Sequence, residues 1–249
     1  MGSKGGSSHI KRLAAPSFWP IHRKEKVWIV KPSPGPHPID ESIPLLIVVR
    51  DLLGLAKTSR EAGIIISEGK IKVDGRVRRD KRFPVGLMDV IEIPEIGKSF
   101  RVVPNSHNFL VLVEVGEEEK NFKLCRVENK VTIKGGRIQF NLHDGKNVIL
   151  NGEEAKKEWK VLDVLKIGFS DYNKVLQHLP FKEGMYAVIT GGRNVGKHGI
   201  IKMIEKTEYK PRKYRYVVIK DVNGEEYQTI PDYVFVVGEE KPLISLSSR

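Results

Sequence analysis

Charged and apolar side chains alternate strictly through Lys70-Ile71-Lys72-Val73, break at Asp74-Gly75 and resume through Arg76-Val77-Arg78, which leaves little choice of structure. A period of two is that of a half-buried strand, and Asp-Gly accepts the left-handed backbone of a tight hairpin turn. The segment therefore predicts a hairpin with Ile71, Val73 and Val77 facing inwards and Lys70, Lys72, Arg76 and Arg78 on the opposite face. Just upstream, Thr58-Ser59-Arg60-Glu61 has the pattern of a capping box, and Ala62, Ile65 and Ile66 supply the apolar face of a helix that Gly69 ends. An earlier helix is expected from Pro44 at its first position to a stop before Gly54, with Leu45, Val48 or Val49, Leu52 and Leu53 on one side. Asp89 to Ile93 adds a further short strand, so residues 43–93 form a small α+β unit.

Charge is concentrated on this unit. Arg79, Lys81 and Arg82 continue the basic run, and Lys57 and Arg60 stand at the start of the second helix. The N–H groups and dipole at that end already favour an anion, so added cations there suit a phosphate. The alternative is a merely solvated charged face. The whole chain carries 43 Lys and Arg against 31 Asp and Glu, a formal net charge of +12, which points to a polyanionic partner. An anionic membrane surface is the weaker option, since no stretch approaches the roughly 20 apolar residues of a spanning helix. The first residues lack the apolar core of a secretory signal, and Gly6 stands where a myristoylation signal needs Ser or Thr. Cys125 is the single cysteine, which excludes an intramolecular disulfide and fits a reducing, cytoplasmic setting.

On either side the chain divides by composition. Residues 1–42 read as an extended basic arm, with Lys11, Arg12, Arg23, Lys24 and Lys26 interleaved with Trp19 and Trp28. Four prolines between Lys31 and Pro38 exclude helix and central strand. The two tryptophans either pack on the next domain or wait for a partner. Residues 94–175 read as a central β-rich domain, with strands at Phe109–Val113, Lys130–Ile133 and Lys146–Leu150 and a segment from Trp159 to Ile167 open to strand or helix. Residues 176–241 hold about five short strands, which suggest a small SH3-like barrel, with Asn223-Gly224 as a type I′ turn. Residues 242–249 remain as a tail. The fold class is α+β and multidomain.

Gly191 to Lys197 matches the opening of a nucleotide-binding P-loop, but the motif needs Ser or Thr next to hold Mg²⁺, and here His198 follows. The residues beyond, Gly199 to Ile204, are β-branched and strand-like, whereas a P-loop opens a helix. Nucleotide hydrolysis is set aside on both counts. The seven histidines are scattered, none at metal-ligand spacing with another or with Cys125, so no metal or cofactor is expected. No catalytic constellation and no small-molecule substrate are nominated.

Two resemblances join these segments. Arg50-Asp51-Leu52-Leu53, then Leu55 to Ala62, then Gly69 to Val77 resemble the S-four-type RNA-binding domain, a module shared by ribosomal proteins, pseudouridine synthases and some tRNA synthetases. Val188 to Gly192 with Gly196-Lys197-His198-Gly199 is similar to a KOW motif, two strands around a Gly-rich basic loop. In it Gly196 and Gly199 would permit close backbone approach, with Arg193, Lys197 and His198 available for phosphate. Together with His9 to Pro16, Gly35-Pro36-His37 and Pro84 to Ile91, the order of segments resembles the S-four-e ribosomal protein family of archaea and eukaryotes over nearly the whole chain. The resemblance implies a non-catalytic small-subunit protein that binds small-subunit rRNA beside neighbouring ribosomal proteins. It also implies a role in assembly, and the short C-terminus favours an archaeal member. RNA contacts are expected from Lys11, Arg12, Arg23, Lys24, Lys57, Arg60, Lys70, Lys72, Arg76, Arg78, Arg79, Lys81, Arg82, Arg193, Lys197 and His198. An RNA-modifying enzyme and a free RNA chaperone are the competing readings.

Overall fold

A two-stranded antiparallel pair, β1 (His9–Lys11) with β2 (Trp28–Val30), opens the fold and sets Lys11 directly opposite Trp28. The structure, a computed structural model, describes residues 6–106, 109–150, 159–169, 174–205 and 215–246, so His107 among the residues considered above lies outside it. Over the described residues the N-terminal segment is not the extended arm expected. Trp19 is buried, with its indole N–H donating to Ser42 O at 2.8 Å, and Ile21 and Ile29 join the same core. The two tryptophans thus part company, because Trp28 stays 54% exposed.

The strand β3 (Ser42–Pro44) runs into a short helix α1 (Leu45–Ile47), so Pro44 stands one position before the helix rather than inside it. The helix continues as a π-helical turn over Val48–Leu52, where Leu53 N donates to Val48 O at 2.9 Å. The second helix, α2 (Ser59–Ser67), starts as its sequence predicts: Glu61 N donates to Thr58 Oγ1 at 3.2 Å while Glu61 Oε2 accepts from Thr58 N at 3.2 Å. Ala62 and Ile66 are its buried face, and Gly69, at φ +81°, follows its end.

The basic hairpin is β4 (Lys72–Val73) and β5 (Arg76–Val77), turned by Asp74 and Gly75 at φ +53° and +72°. Beyond it come β6 (Pro84–Gly86), which pairs with β3, and β7 (Val90–Ile93). The sheet does not stop there. Strands β8 (Lys98–Asn105) and β9 (Phe109–Val115) extend it to the order β5-β4-β7-β8-β9, all antiparallel. Leu45 to Val49, Ile66, Ile71 and Ile91 form its core together with the buried residues of the N-terminal segment.

The long strand β10 (Phe122–Ile133) serves two neighbours in succession. Its first half pairs with β13 (Val164–Gly168) and its second half with β11 (Arg137–Leu142), with a register shift between Val127 and Asn129. With β12 (Asn147–Leu150) and β14 (Val175–Leu179) the order is β12-β11-β10-β13-β14, and the segment left open as strand or helix is strand at Val164 to Gly168. The last sheet holds β15 (Tyr186–Ile189), β16 (His198–Ile204), β17 (Val217–Lys220), β18 (Glu226–Thr229) and β19 (Val234–Gly238) in the order β18-β17-β16-β15-β19. The Asn223-Gly224 turn departs from type I′. Only Gly224 takes positive φ, at +86°, and its N–H donates to Asp221 O, so the loop is one residue longer than a two-residue turn.

Candidate nucleic-acid interface

The hairpin turn sets which basic side chains share a face. Across an antiparallel pair, residues directly opposite point the same way, and the register is Lys72 with Val77 and Val73 with Arg76. Arg76 therefore lies on the side of buried Val73, while Val77, 48% exposed, lies on the side of Lys72. The sequence reading carried its alternation straight across the turn and placed Val77 inwards and Arg76 with the lysines. Two residues in the turn, both left-handed, bring 73 and 76 together and reverse that assignment.

Several of the expected contacts already have protein partners. Arg12 is buried, its Nε donating to Ile21 O at 2.8 Å and its terminal amines reaching the carbonyls of Pro16 and Trp19 at 3.3 and 3.4 Å. That is a brace for the N-terminal loop, and it removes Arg12 from any RNA-facing surface. Lys70 Nζ sits 3.0 Å from Glu68 and 3.5 Å from Glu95, and Lys72 Nζ 3.6 Å from Glu92. The pairing with Glu68 raises the Lys70 ammonium above the ordinary lysine range. The basic strand is thus not the uncompensated charge row read from its sequence. Arg78 stacks on Phe83 with its guanidinium carbon 4.3 Å from the ring centre, and Arg82 Nε donates to Lys31 O at 3.0 Å. Ser33 binds the same stretch through Arg82 O and Asp80, stitching the proline-rich segment to residues 80–82.

Lys11, Arg23, Lys24, Lys57, Arg60, Arg76, Arg79, Lys81 and Arg193 are exposed. At the start of α2 the anion site expected from the helix end is partly filled from within, because Glu61 Oε2 accepts the N–H of both Lys57 and Thr58. Lys57 and Arg60 flank that carboxylate.

The Gly-rich loop between β15 and β16 opens a strand, not a helix, in keeping with the rejection of a P-loop. Its glycines approach backbone, but the backbone is the protein's own. A Cβ on Gly196, at φ +81°, would lie 2.5 Å from Ser106 N, and one on Gly199 would lie 2.1 Å from Lys220 O. Lys197 Nζ stands 5.2 Å above the Tyr227 ring, and His198 Nδ1 is hydrogen-bonded to Tyr186 Oη at 2.7 Å. The loop is docked onto the end of β8, with Arg193 left exposed.

What fixes the hairpin is a buried charge cluster that sequence reading missed. Asp74, in the turn, accepts from Val90 N at 3.1 Å and from Lys123 Nζ at 2.9 Å. Lys123 also binds Asp89 and lies 3.4 Å from Asp144, while Asp89 takes a further hydrogen bond from His37 Nε2 at 3.1 Å. Burial alone would lower the Lys123 pKa, but Asp74, Asp89 and Asp144 raise it well above the ordinary lysine range. Burial likewise pushes Asp89 up, yet Lys123 and His37 prevail and hold its carboxyl well below the usual value. Each residue looks ordinary in sequence, since the ion-paired partners lie 21 to 52 positions apart.

The family model described as "Ribosomal family S4e" matches residues 96–173, the RS4NT domain matches 4–40 and the S4 domain matches 44–91. The small ribosomal subunit protein eS4 of Ignicoccus hospitalis is 53% identical over 97% of this chain and 96% of its own. That of Methanothermobacter thermautotrophicus is 44% identical over 99% and 98%. The crystal structure of the 30S ribosomal protein S4e from Thermoplasma acidophilum superposes with a TM-score of 0.67 at 38% identity, covering 80% of this chain and 96% of that one.

Proposed function

As a member of the S4e family of ribosomal proteins, this chain is a structural, non-enzymatic constituent of the small ribosomal subunit, and we propose that it grips folded small-subunit rRNA at several separated points. Its partners are rRNA and ribosomal proteins. The observation that carries the finer reading is a set of solvent-exposed cations: Lys57, Arg60, Arg76, Arg79 and Lys81 on the S4 segment. Spread over a helix start and a hairpin, such residues suit phosphates of a structured RNA and read its shape more than its sequence. Lys11, Arg23 and Lys24 extend the grip along the N-terminal segment, and Arg193 adds a contact from the Gly-rich loop. Lys70, Lys72, Arg78, Arg82, Lys197 and His198 act in this reading through exchange of their present partners for phosphate.

The segments proposed are a basic N-terminal arm over 1–42, the S4-type domain over 43–93, a β-rich domain over 94–175, and an SH3-like barrel with a KOW loop over 176–241, followed by a tail. Support for the barrel comes from strand order, in which β19 returns to lie beside β15 while β15 to β18 follow one another. The test is charge reversal at Arg76, Arg79 and Lys81 in the full chain, titrated against deproteinised small-subunit rRNA over a range of salt. Each phosphate contact contributes about 0.7–0.9 to the slope of log affinity on log salt, so the triple variant should lose affinity and flatten that slope by about two. An unchanged slope would remove these residues from the interface.

A further inference from the structure

We propose that Trp28 is a stacking platform for one unpaired base of the small-subunit rRNA, flanked by Lys11, Lys26, Lys81 and Arg82 for the adjoining phosphates. The inference rests on the rRNA-binding reading above and adds a contact of a different physical kind. The chain has three tryptophans. Trp19 and Trp159 are 2% and 6% exposed, whereas Trp28 is 54% exposed on a strand whose neighbour Ile29 is buried. An indole left this open forgoes the burial that usually justifies so large an apolar side chain.

The ring is nonetheless held in place. It projects from β2 directly opposite Lys11, whose Nζ lies 5.5 Å from the ring centre, and the His9 ring meets it edge-on at 4.7 Å and 90°. A platform set by cross-strand neighbours loses little freedom when a base settles on it, and stacking accepts any base because each has a π face. Beside the ring opens a cleft of about 280 Å³, lined by Trp28, Lys26, Lys81 and Arg82 among others. The cleft brings the N-terminal segment together with the basic stretch after the hairpin, which sequence reading treated as separate sites. Lys26 shares its charge with Glu25 at 3.2 Å, and Arg50 at the same cleft is held by Asp51 at 2.7 Å. Among the described residues Lys81 and Arg82 make no ion pair of that kind. An aromatic ring among cations is the combination that recognises single-stranded nucleic acid, since the sugar-phosphate chain must pass wherever a base stacks.

Fluorescence isolates the site, because Trp28 is the one tryptophan of the three that a base can reach. Titrating the full chain with deproteinised small-subunit rRNA should quench the exposed component of its emission. Trp28→Phe should bind with nearly the same affinity and lose that quenching. Trp28→Ala should bind about tenfold more weakly with an unchanged salt slope, as stacking releases no counterions. Tight binding without any change in Trp28 emission, or undiminished affinity in Trp28→Ala, would overturn the platform and leave the phosphate grip standing. Failure of the wild-type chain to bind the rRNA at all would bring down both.

Discussion

Lys123 Nζ lies 2.9 Å from Asp74 Oδ2, a contact that ties the turn of the basic hairpin to the central sheet across the boundary between two segments. Asp89 and Asp144 complete the cluster from a loop of the S4-type segment and from the central one, and His37 reaches it from the N-terminal segment. One ammonium thus joins two parts of the chain directly and, through Asp89, a third. Removing it would leave His37 as the ion-pair partner of Asp89 and leave Asp74 and Asp144 to the partly exposed Lys146, which lies 3.4 and 3.0 Å from them.

Lys123→Met should therefore destabilise the protein by about 3–5 kcal/mol at neutral pH, the usual cost of breaking a buried ion cluster from one side. Urea denaturation reads this directly. A loss below about 1 kcal/mol would mean that the cluster is dispensable to stability. The pH dependence has a definite sign at each end. The carboxyls of Asp89 and Asp144 are held below the ordinary 3.8, so their contribution is whole above that value and lost as pH falls beneath it. That of Lys123, raised above 10.5, is whole below 10.5 and lost as pH climbs through the raised value.

His143 adds a slope at milder acidity. Its Nδ1 accepts the N–H of Arg126 at 3.2 Å and its Nε2 faces Leu87 O at 3.3 Å, which is the bonding of a neutral ring. Burial, assisted by Lys123, takes its pKa down from 6.5 to about 3. Below pH 6.5 the unfolded chain gains a proton that the folded one refuses, so stability falls with pH by up to about 1.4 kcal/mol per unit. In His143→Asn the slope between pH 6.5 and 4.5 should shrink by about one proton; an unaltered slope would place the titration elsewhere.

Gly196 and Gly224 separate two costs of a side chain. Both have positive φ, at +81° and +86°, but a Cβ on Gly224 meets nothing within 4 Å, whereas one on Gly196 meets the backbone of Asn105 and Ser106. Gly224→Ala should cost about 1 kcal/mol, the strain of the left-handed conformation alone. Gly196→Ala should cost clearly more in the same thermal melts, because the loop must also leave β8. Equal losses would show that the loop is not seated there.

Arg12 and Arg79 divide structure from binding. Arg12→Ala removes a buried guanidinium bound to carbonyls and should lower stability by about 2 kcal/mol, with the salt slope of rRNA binding unchanged. Arg79→Glu should do the reverse. Melting curves and salt titrations on the two variants settle the assignment, and a flattened slope in Arg12→Ala would return that residue to the interface.

The sequence alone determined what depends on near neighbours. Thr58 with Glu61 is a capping box at three residues' separation, Asp74-Gly75 accepts the left-handed backbone that its hairpin turn needs, and His198 disqualifies the P-loop by its identity. The family, the α+β composition and the basic character were legible for the same reason. Tertiary structure alone decided which partners several of the cations take. Lys70 finds Glu95, Arg12 finds Ile21 O, and Lys123 finds Asp74 at a separation of 49 residues, each an encounter that only the fold arranges. It also decided that Arg76 shares the face of Val73, and that Gly196 admits Ser106 rather than a phosphate. Local propensity acts over a few bonds and is written in the order of residues. Charge pairing and close approach act through space, and the chain's order holds no record of them until it folds.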